Sequence, residues 1–385
     1  MKKRPRVLID SFHLLQALTG IRTYTTQLCA GLERLDFDDV EYLIYPNWRW
    51  LNQTTFLRGK VNVVKKLINH LIYFIWKQVG LPILIIIKRV DVIVAPDYLL
   101  PYFKFGARGI AVVHDTFYWE LKGKYNPVWR WYFLKSVQLG LNKRSSMVVT
   151  SNYIAEKAKI HISNELQLAV VYQAPKNLEY GQMTPQEYRK IGLPENAKYF
   201  LHIGIFEDRK NLGILIKAFR QLMDDKLYSD FYLLLVGSRG VGWFHDDFNR
   251  LNLLIKEYHL EDKVIMPGFV PNEDLGKVYQ HAFAYVFPST EEGFGIPVIE
   301  AMKAGTPVII SNQPALMEIA GDAALVFDMN NEMALYDQMV KVTSPELREE
   351  LIMRGNKRAS KFTNASFVNQ FHTVIKDCIL SRKHI

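Results

Sequence analysis

The sequence predicts an α/β protein built from two doubly wound, Rossmann-like domains that face a central cleft. Short apolar runs alternate with helical patterns along the whole chain, which is typical of parallel sheets covered by helices on both faces. The chain has 385 residues, more than a single core usually holds. A polar segment with three prolines, at 173–197, separates two sets of apolar runs. We therefore expect two domains joined by a linker.

Twelve strands are predicted, six in each half of the chain. In the first half they are 7–10, 42–45, 91–95, 110–114, 147–151 and 169–172. In the second half they are 199–204, 231–237, 264–267, 284–288, 308–311 and 325–327. The N-terminal domain is predicted over 1–175, a linker with a short helix over 176–197, and the C-terminal domain over 198–365.

Composition narrows the class of partner. The chain is 49% hydrophobic and 23% charged, as in an ordinary globular protein. Its net charge of +9 favours anionic partners, namely nucleotide phosphates, an acidic membrane surface or nucleic acid. The sequence has no recognisable nucleic-acid-binding module, so we expect no nucleic acid partner. Cys29 and Cys378 have no metal-binding or redox spacing, and the N-terminus has no apolar signal core, so we expect a cytoplasmic protein.

One region, 61–95, resembles a membrane segment. Its two apolar runs are each ten residues long and are separated by Lys77, whereas about 20 apolar residues are needed to span a bilayer. Two interpretations are open. The first is a buried helix followed by a strand. The second is an interfacial helix at the inner face of the plasma membrane, with basic residues facing lipid headgroups. Those residues are Lys65, Lys66, Lys77, Lys88 and Arg89.

The most informative motif lies at 287–312, FPSTEEGFGIPVIEAMKAGTPVIISN. It is expected to form a strand end, a glycine-rich loop, a helix and a second strand. Glu292 is predicted in the loop and Glu300 in the first turn of the helix, and Gly293 and Gly295 would let a ligand approach the backbone. Two carboxylates around a helix N-terminus suit a ligand with both hydroxyls and phosphates, such as a sugar nucleotide.

The spacing Glu292-x7-Glu300 within EGFGIPVIEAMKAGTPVI resembles the signature of the retaining GT-B glycosyltransferases of family 4, in their mannosyltransferase-like subgroup. The resemblance implies a GT-B architecture, with a last helix at about 366–385 that packs back on the N-terminal domain. It places Glu292 beside the donor sugar and Glu300 on the ribose hydroxyls. The other donor residues that it implies in this loop are Gly293, Phe294, Gly295 and Ile296.

A basic pair follows the first strand of the second domain. Arg209 and Lys210, in HIGIFEDRKNLG, resemble the basic motif of the family and are expected to neutralise the leaving diphosphate. Many members have an arginine directly after the glycine of this strand, where this chain has Ile205. The pair is therefore assigned the catalytic role together with Glu292.

Further donor contacts are implied at Gly20, Gly237, Phe269 and Val270. Gly20 matches a glycine loop that lets phosphates approach the backbone. Gly237 lies in the run LLLVGSRG (233–240), which is expected to end a strand in a glycine turn at the same edge of the sheet. Phe269 and Val270 are expected to border the base, largely through backbone atoms.

The N-terminal domain is expected to hold the acceptor. His114 ends a predicted strand and resembles the histidine of a VxHD motif, so it is a candidate catalytic residue, expected to donate to a sugar hydroxyl or to help position the acceptor. Asp115, Tyr118 and Trp119 follow it, and the two aromatic rings could stack on a saccharide.

These features predict a retaining, metal-independent glycosyltransferase without a cofactor. The expected donor is GDP-mannose or, second, a UDP-sugar. The expected acceptor is a saccharide or lipid-linked saccharide in cell-surface polysaccharide or lipopolysaccharide synthesis. Two alternatives remain, a catalytically degenerate GT-B subunit that binds a nucleotide sugar or a partner, and a sugar-nucleotide epimerase on the same scaffold.

Overall fold

The computed structural model describes residues 4–17, 20–54, 63–239 and 246–380, without the side chains of 63, 64 and 66. The chain divides into two compact units. Unit 1 comprises Met1–Ala174 and Thr363–Ile385, and unit 2 comprises Pro175–Phe362. Some predictions fall on residues that the structure does not describe. These are residues 61–62, the side chain of Lys66, Gly240 and residues 381–385.

Unit 1 contains a six-stranded parallel sheet with the order β2-β1-β3-β4-β5-β6. Its strands are β1 Arg6–Asp10, β2 Glu41–Tyr45, β3 Val92–Ala95, β4 Arg108–Val113, β5 Ser145–Val149 and β6 Gln167–Val170. The helices between them are α1 Gly20–Leu35, α2 Trp48–Gln53, α3 Val63–Ile75, α4 Leu81–Lys88, α5 Phe117–Glu120, α6 Pro127–Gly140 and α7 Asn152–His161. A π-helical turn, Trp76–Gly80, joins α3 to α4.

Unit 2 contains a second parallel sheet with the order β12-β11-β10-β7-β8-β9. Its strands are β7 Lys198–Ile203, β8 Phe231–Val236, β9 Val264–Gly268, β10 Ala284–Phe287, β11 Val308–Ser311 and β12 Leu325–Phe327. Its helices are α8 Pro185–Lys190, α9 Leu212–Asp224, α10 Phe248–Glu257, α11 Asn272–Gln280, α12 Ile296–Lys303, α13 Pro314–Ala320, α14 Glu332–Lys341 and α15 Pro345–Ala359.

The predicted α/β class with two parallel sheets is confirmed. All twelve predicted strands are present, with ends shifted by at most two residues. Strands β3, β4, β5, β10 and β11 are buried along their whole length. Helices therefore cover both faces of each sheet, because a strand with an open face would alternate buried and exposed side chains.

The last helix, α16 Asn364–Leu380, belongs to unit 1 and packs on α1. The two helices approach closely at Gly31, where a Cβ atom would lie 2.3 Å from Val368 Cγ2. Asn364 Nδ2 donates a hydrogen bond to the carbonyl of Gln27 at 2.8 Å. A side chain at Gly31 would therefore force α16 away from α1.

The segment at 63–88 differs from the buried-helix interpretation. It forms one continuous helical rod through α3, the π turn and α4, and not two short runs. Leu67–Lys88 is long and apolar enough, by length and composition alone, to cross a membrane, yet only 22% of its most apolar window is buried in the protein. The expectation of a buried helix is therefore wrong for most of this rod, although the strand expected after it is present as β3.

Candidate active site

Three glycines lie side by side where the strands of unit 2 end. Gly204 follows β7, Gly237 follows β8, and Gly268 is the last residue of β9. The Gly237 N–H donates to the Gly268 carbonyl at 2.9 Å. A Cβ atom at Gly237 would lie only 1.7 Å from the carbonyl oxygen of Gly204. This edge therefore presents bare backbone, at the carboxyl end of the strands where ligands bind in such sheets.

The acid motif folds as a loop between β10 and α12. Gly295 is the N-cap of α12, with φ 103°, and it has no side chain to occupy the first amides of the helix. Pro297 lies in the first turn and Gly305 has φ 75°, as the sequence predicts. Glu300, however, is the fifth residue of α12 and lies in its second turn. The prediction of a first-turn position is wrong, because the helix begins at Ile296, immediately after the loop.

Glu292 lies in the loop and forms the centre of a buried ion cluster. Its Oε1 is 2.5 Å from Lys210 Nζ and 3.1 Å from Arg209 Nη1. Burial by itself would raise the pKa of Glu292, but the charges of Lys210 and Arg209 outweigh it and hold the pKa below its usual value. The carboxylate is therefore ionised at neutral pH and serves as counter-ion to two cations.

The basic pair is held in place by the neighbouring loop. Residues Asp208–Lys210 form a short 3-10 turn, and the Thr290 N–H donates to the Arg209 carbonyl at 2.8 Å. Arg209 also donates to Glu207 Oε2 and to the carbonyl of Glu291. The loop after β7 and the loop after β10 thus position each other.

His202 lies beneath this cluster and was missed by sequence reasoning. It is fully buried in β7, and its Nδ1 is 3.0 Å from the Val286 carbonyl. Among the described residues Nε2 has no hydrogen-bond partner. Burial lowers the pKa of His202 to about 3, so the ring is neutral under ordinary conditions.

Glu300 is buried as well, but its surroundings are less polar than those of Glu292. Tyr279 OH donates to Oε2 at 3.1 Å, and the Lys176 N–H donates to Oε1 at 3.3 Å. Burial raises the pKa of Glu300, against the opposing charge of Lys176. An ionised carboxylate accepts about four hydrogen bonds, so the side chain can accept more than these two. Neither Tyr279 nor Lys176 was expected from the sequence.

The remaining donor candidates of unit 2 divide into exposed and buried side chains. The ring of Phe269 is 75% exposed, whereas Val270 is buried. Phe294 is buried, with its ring centroid 6.0 Å from that of Phe362, and Ile296 is also buried. Phe294 and Ile296 therefore anchor the loop, and backbone atoms are what they can offer to a ligand. Gly293 lies buried between them and Glu292.

In unit 1 the structure places Gly20 as the exposed first residue of α1, with open space where a Cβ atom would be. His114 follows β4 and is buried, with Nε2 2.7 Å from the Pro96 carbonyl. Burial lowers its pKa to about 4. A neutral imidazole whose Nε2–H donates to Pro96 can offer a ligand only its Nδ1 lone pair, an acceptor. The expectation that His114 donates to a sugar hydroxyl is therefore wrong.

The candidates after His114 lie in different surroundings. Asp115 Oδ1 accepts from the Phe117 N–H at 3.2 Å and so caps the turn that begins α5. Tyr118 is stacked between Phe133 and Tyr125, with ring centroids 4.0 and 4.3 Å away. Trp119 instead lines an open pocket of about 630 Å³ beside α6. Tyr118 and Trp119 thus do not form one aromatic platform.

Two parallel six-stranded sheets, each covered by helices, define the GT-B class of glycosyltransferase fold. Residues 183–358 match the sequence model of the family described as Glycosyl transferases group 1. The glycine edge, the basic pair and both glutamates lie within this range.

Named relatives carry related descriptions. O-antigen chain mannosyltransferase B of Escherichia coli is 37% identical over 166 residues, which are 43% of this chain and 42% of that protein. O-antigen chain mannosyltransferase RfbU of Salmonella typhimurium is 28% identical over 222 residues, 57% and 56% of the two chains. The alignments thus span about half the length of each relative.

A solved structure matches over nearly the whole chain. Sucrose-phosphate synthase (tll1590) from Thermosynechococcus elongatus superposes with a TM-score of 0.75 at 20% identity. The match covers 98% of this chain and 100% of that one. At this level of identity the likeness establishes the fold.

Proposed function

We propose that this protein is a retaining glycosyltransferase that moves a hexose from a nucleotide sugar to a hydroxyl group of a saccharide acceptor. The observation that carries the proposal is the buried cluster of Glu292, Arg209 and Lys210 beside a backbone edge of three glycines. The mannosyltransferase names of the relatives support the same activity, in the synthesis of a cell-surface polysaccharide or lipopolysaccharide.

In this proposal unit 2 binds the donor. The diphosphate lies against Arg209, Lys210 and the amides at the N-terminus of α12, whose partial positive charge favours anions. Glu300 accepts hydrogen bonds from the ribose hydroxyls, and the base lies beside Phe269 and Val270. Side-chain cations supply the neutralising charge, so the proposal assigns no role to a metal ion or cofactor.

The chemical step breaks the bond between the anomeric carbon and the diphosphate oxygen. Arg209 and Lys210 stabilise the negative charge that develops on the leaving diphosphate. Glu292, freed from part of its pairing when the diphosphate occupies the cations, faces the sugar and accepts from its hydroxyls. The acceptor oxygen forms the new bond on the same face, and its proton passes to the leaving phosphate. Retention of configuration follows from this same-face attack.

The finer assignments follow the relatives. GDP-mannose is the first candidate donor, because two relatives are named mannosyltransferases, and a UDP-sugar is the second. The acceptor, a saccharide or lipid-linked saccharide, is assigned to unit 1 with His114, Asp115, Tyr118 and Trp119. Both cysteines are free and buried in unit 1, which agrees with action in a reducing cytoplasm.

The test is release of nucleoside diphosphate from GDP-mannose and UDP-glucose in the presence of saccharide acceptors. Wild type should release the diphosphate with one donor, and Glu292→Gln should be slower by about 100-fold or more. Glu257→Gln, an exposed glutamate on α10, is the matched control and should behave as wild type. Binding of the donor without acceptor-dependent release would favour the degenerate subunit, and conversion of the donor sugar without any acceptor would favour the epimerase.

A further inference from the structure

The rod of α3, the π turn and α4 exposes a long apolar surface. It runs from Val63 to Lys88, which corresponds to about 39 Å at 1.5 Å per residue. We call its exposed apolar side chains the outer face, and each is between 38% and 67% accessible. They are Leu67, Ile68, Leu71, Ile72, Phe74, Ile75, Val79, Ile83, Ile86 and Ile87. A continuous apolar surface of this length marks an interaction site, because water-facing helices are polar on that side.

The inner side of the rod is fixed to unit 1 by a buried ion cluster. Lys77 Nζ lies 2.5 Å from Asp10 Oδ2 and 2.6 Å from Asp97 Oδ1. Trp76 Nε1 donates to Asp10 Oδ1 at 2.9 Å, and Tyr73 OH donates to Asp97. Lys77 is 1% exposed, and its charge is neutralised within the unit. The rod cannot leave unit 1 to span a bilayer without uncovering these charges. This anchoring allows the rod to lie along the surface of a membrane.

The part of the sequence that contains the rod has basic side chains and no acidic ones. From Tyr42 to Val90 the sequence has no aspartate or glutamate and eight basic residues. Exposed Lys65 and Arg89 lie near the two ends of the rod. Over the whole chain, unit 1 has 27 basic and 13 acidic residues, a charge of +14, whereas unit 2 has 21 and 26, a charge of −5. This asymmetry fits an anionic partner for unit 1.

Two exposed aromatic rings lie in a loop that is hydrogen-bonded to the rod. The Tyr102 N–H donates to Gln78 Oε1 at 2.9 Å, which holds the following loop beside the rod. Phe103 and Phe105 in that loop are 70% and 62% exposed. Exposed aromatic side chains beside an apolar helix with basic ends are typical of proteins that lie in the membrane interface.

We propose that the outer face, together with Phe103 and Phe105, inserts into the interfacial layer of an anionic lipid bilayer, with the rod parallel to the membrane plane. A second copy of the chain is a poorer occupant, because a symmetric contact would bring two units of charge +14 together. Docking does not depend on the transferase activity proposed above. If that activity also holds, the surface would bring unit 1 to a lipid-linked acceptor.

The experiment is cosedimentation of the full-length protein with phosphatidylcholine vesicles, with and without phosphatidylglycerol. Wild type should bind the anionic vesicles, and added salt should weaken binding. Leu71→Glu combined with Ile87→Glu should lower the partition coefficient at least tenfold. Leu227→Glu combined with Leu253→Glu, two comparably exposed leucines of unit 2, is the matched control and should leave binding unchanged. Thermal melting of each variant reports folding, and diphosphate release reports activity separately.

Three results would overturn the proposal. The first is equal vesicle binding by wild type and Leu71→Glu/Ile87→Glu. The second is resistance of the bound protein to alkaline extraction, which would indicate a spanning helix. The third is failure to bind anionic vesicles together with a dimer that Leu71→Glu/Ile87→Glu abolishes, measured by light scattering, which would assign the outer face to a second copy.

Discussion

The ammonium of Lys210 and the carboxylate of Glu292 form a buried ion pair, with 2.5 Å between Nζ and Oε1. Their side chains are 9% and 12% exposed. Taking both charges out of water costs free energy that their attraction does not always recover, so such a pair is weak grounds for a purely stabilising role. A diphosphate would compete with Glu292 for the same ammonium. The pair is therefore well suited to hold Lys210 in position until a donor arrives.

Replacing Lys210 should weaken binding of the diphosphate. A hydrogen bond to a charged group contributes about 1.5–3 kcal/mol, so Lys210→Met should raise the Kd of the cognate nucleoside diphosphate by about 10- to 150-fold. Isothermal titration measures this change, and Lys217→Met, an exposed lysine of α9, is the control. Equal affinities in Lys210→Met and wild type would remove the phosphate assignment.

The stability of the same variant should show the coupling. Lys210→Met leaves Glu292 buried with Arg209 alone and should lower the free energy of unfolding. Lys210→Met combined with Glu292→Gln should recover part of that loss, because no buried carboxylate then lacks its partner. Denaturant unfolding of wild type, both single variants and the double variant gives the coupling energy. Strictly additive losses would show that the pair is not coupled.

Glu300 should make nucleotide affinity depend on pH. Its pKa is raised by burial, and ribose hydroxyls would donate to the ionised form. Affinity should therefore be complete above this raised pKa and fall as pH decreases through it, by at most tenfold per pH unit. The ratio of Kd values for Glu300→Gln and wild type, measured at each pH, cancels titration of the phosphate itself. A ratio that stays constant as pH falls would contradict the ribose assignment.

Gly237 should not tolerate a side chain. A Cβ atom there would lie 1.7 Å from the Gly204 carbonyl oxygen, so Gly237→Ala must separate the ends of β7 and β8. We expect Gly237→Ala to lower the free energy of unfolding by about 3 kcal/mol. The same substitution should also cause a loss of nucleotide binding. Gly268→Ala is the matched control on the same edge, since its φ is 84° but nothing lies within 4 Å of the added atom. It should cost about 1 kcal/mol from backbone strain. Similar losses in both variants would mean that contact with Gly204 is not the cause.

His202 should weaken the fold in acid. Its pKa is about 3 in the folded protein and near 6.5 when unfolded, so the unfolded state binds more protons between these values. Stability is then full above about pH 6.5 and falls with decreasing pH by up to about 1.4 kcal/mol per unit. His202→Gln should flatten this dependence, and His259→Asn, an exposed histidine, should keep it. An unchanged slope in His202→Gln would show that the ring is protonated without cost.

The sequence predicts the sheets well because their signal is local. Continuous aliphatic runs such as β3 and β11 can bury all of their side chains only in a sheet that is covered on both faces. The helix after the acid loop is predicted equally well, because Gly295 and Gly305 mark the two ends of the helix that carries Glu300. What sets the environment of Glu300 is not local. Lys176 lies 124 residues away along the chain, and Tyr279 belongs to a different helix.

The rod at 63–88 shows the opposite limit. The apolar content of this segment predicts a helix. Whether the surface of that helix is buried depends on what packs against it. From the sequence, Lys77 is either a break between two apolar runs or a charge that faces lipid. The structure shows a third outcome, in which Lys77 is buried inside unit 1 and paired with Asp10 and Asp97. Asp10 and Asp97, which are 67 and 20 positions from Lys77 along the chain, determine this outcome. The hydrophobic periodicity of the rod gives no information about them.

The most direct test of the donor site is thermal melting with GDP, UDP, ADP and dTDP, in wild type and Glu300→Ala. A ligand at 100 times its Kd stabilises by about 2.7 kcal/mol, enough to raise Tm by roughly 5–10 °C in a domain of this size. One diphosphate should raise the Tm of wild type, and the same concentration should have a much smaller effect on Glu300→Ala. No shift with any diphosphate, or equal shifts in both proteins, would contradict a nucleotide-sugar site built on the acid loop of unit 2.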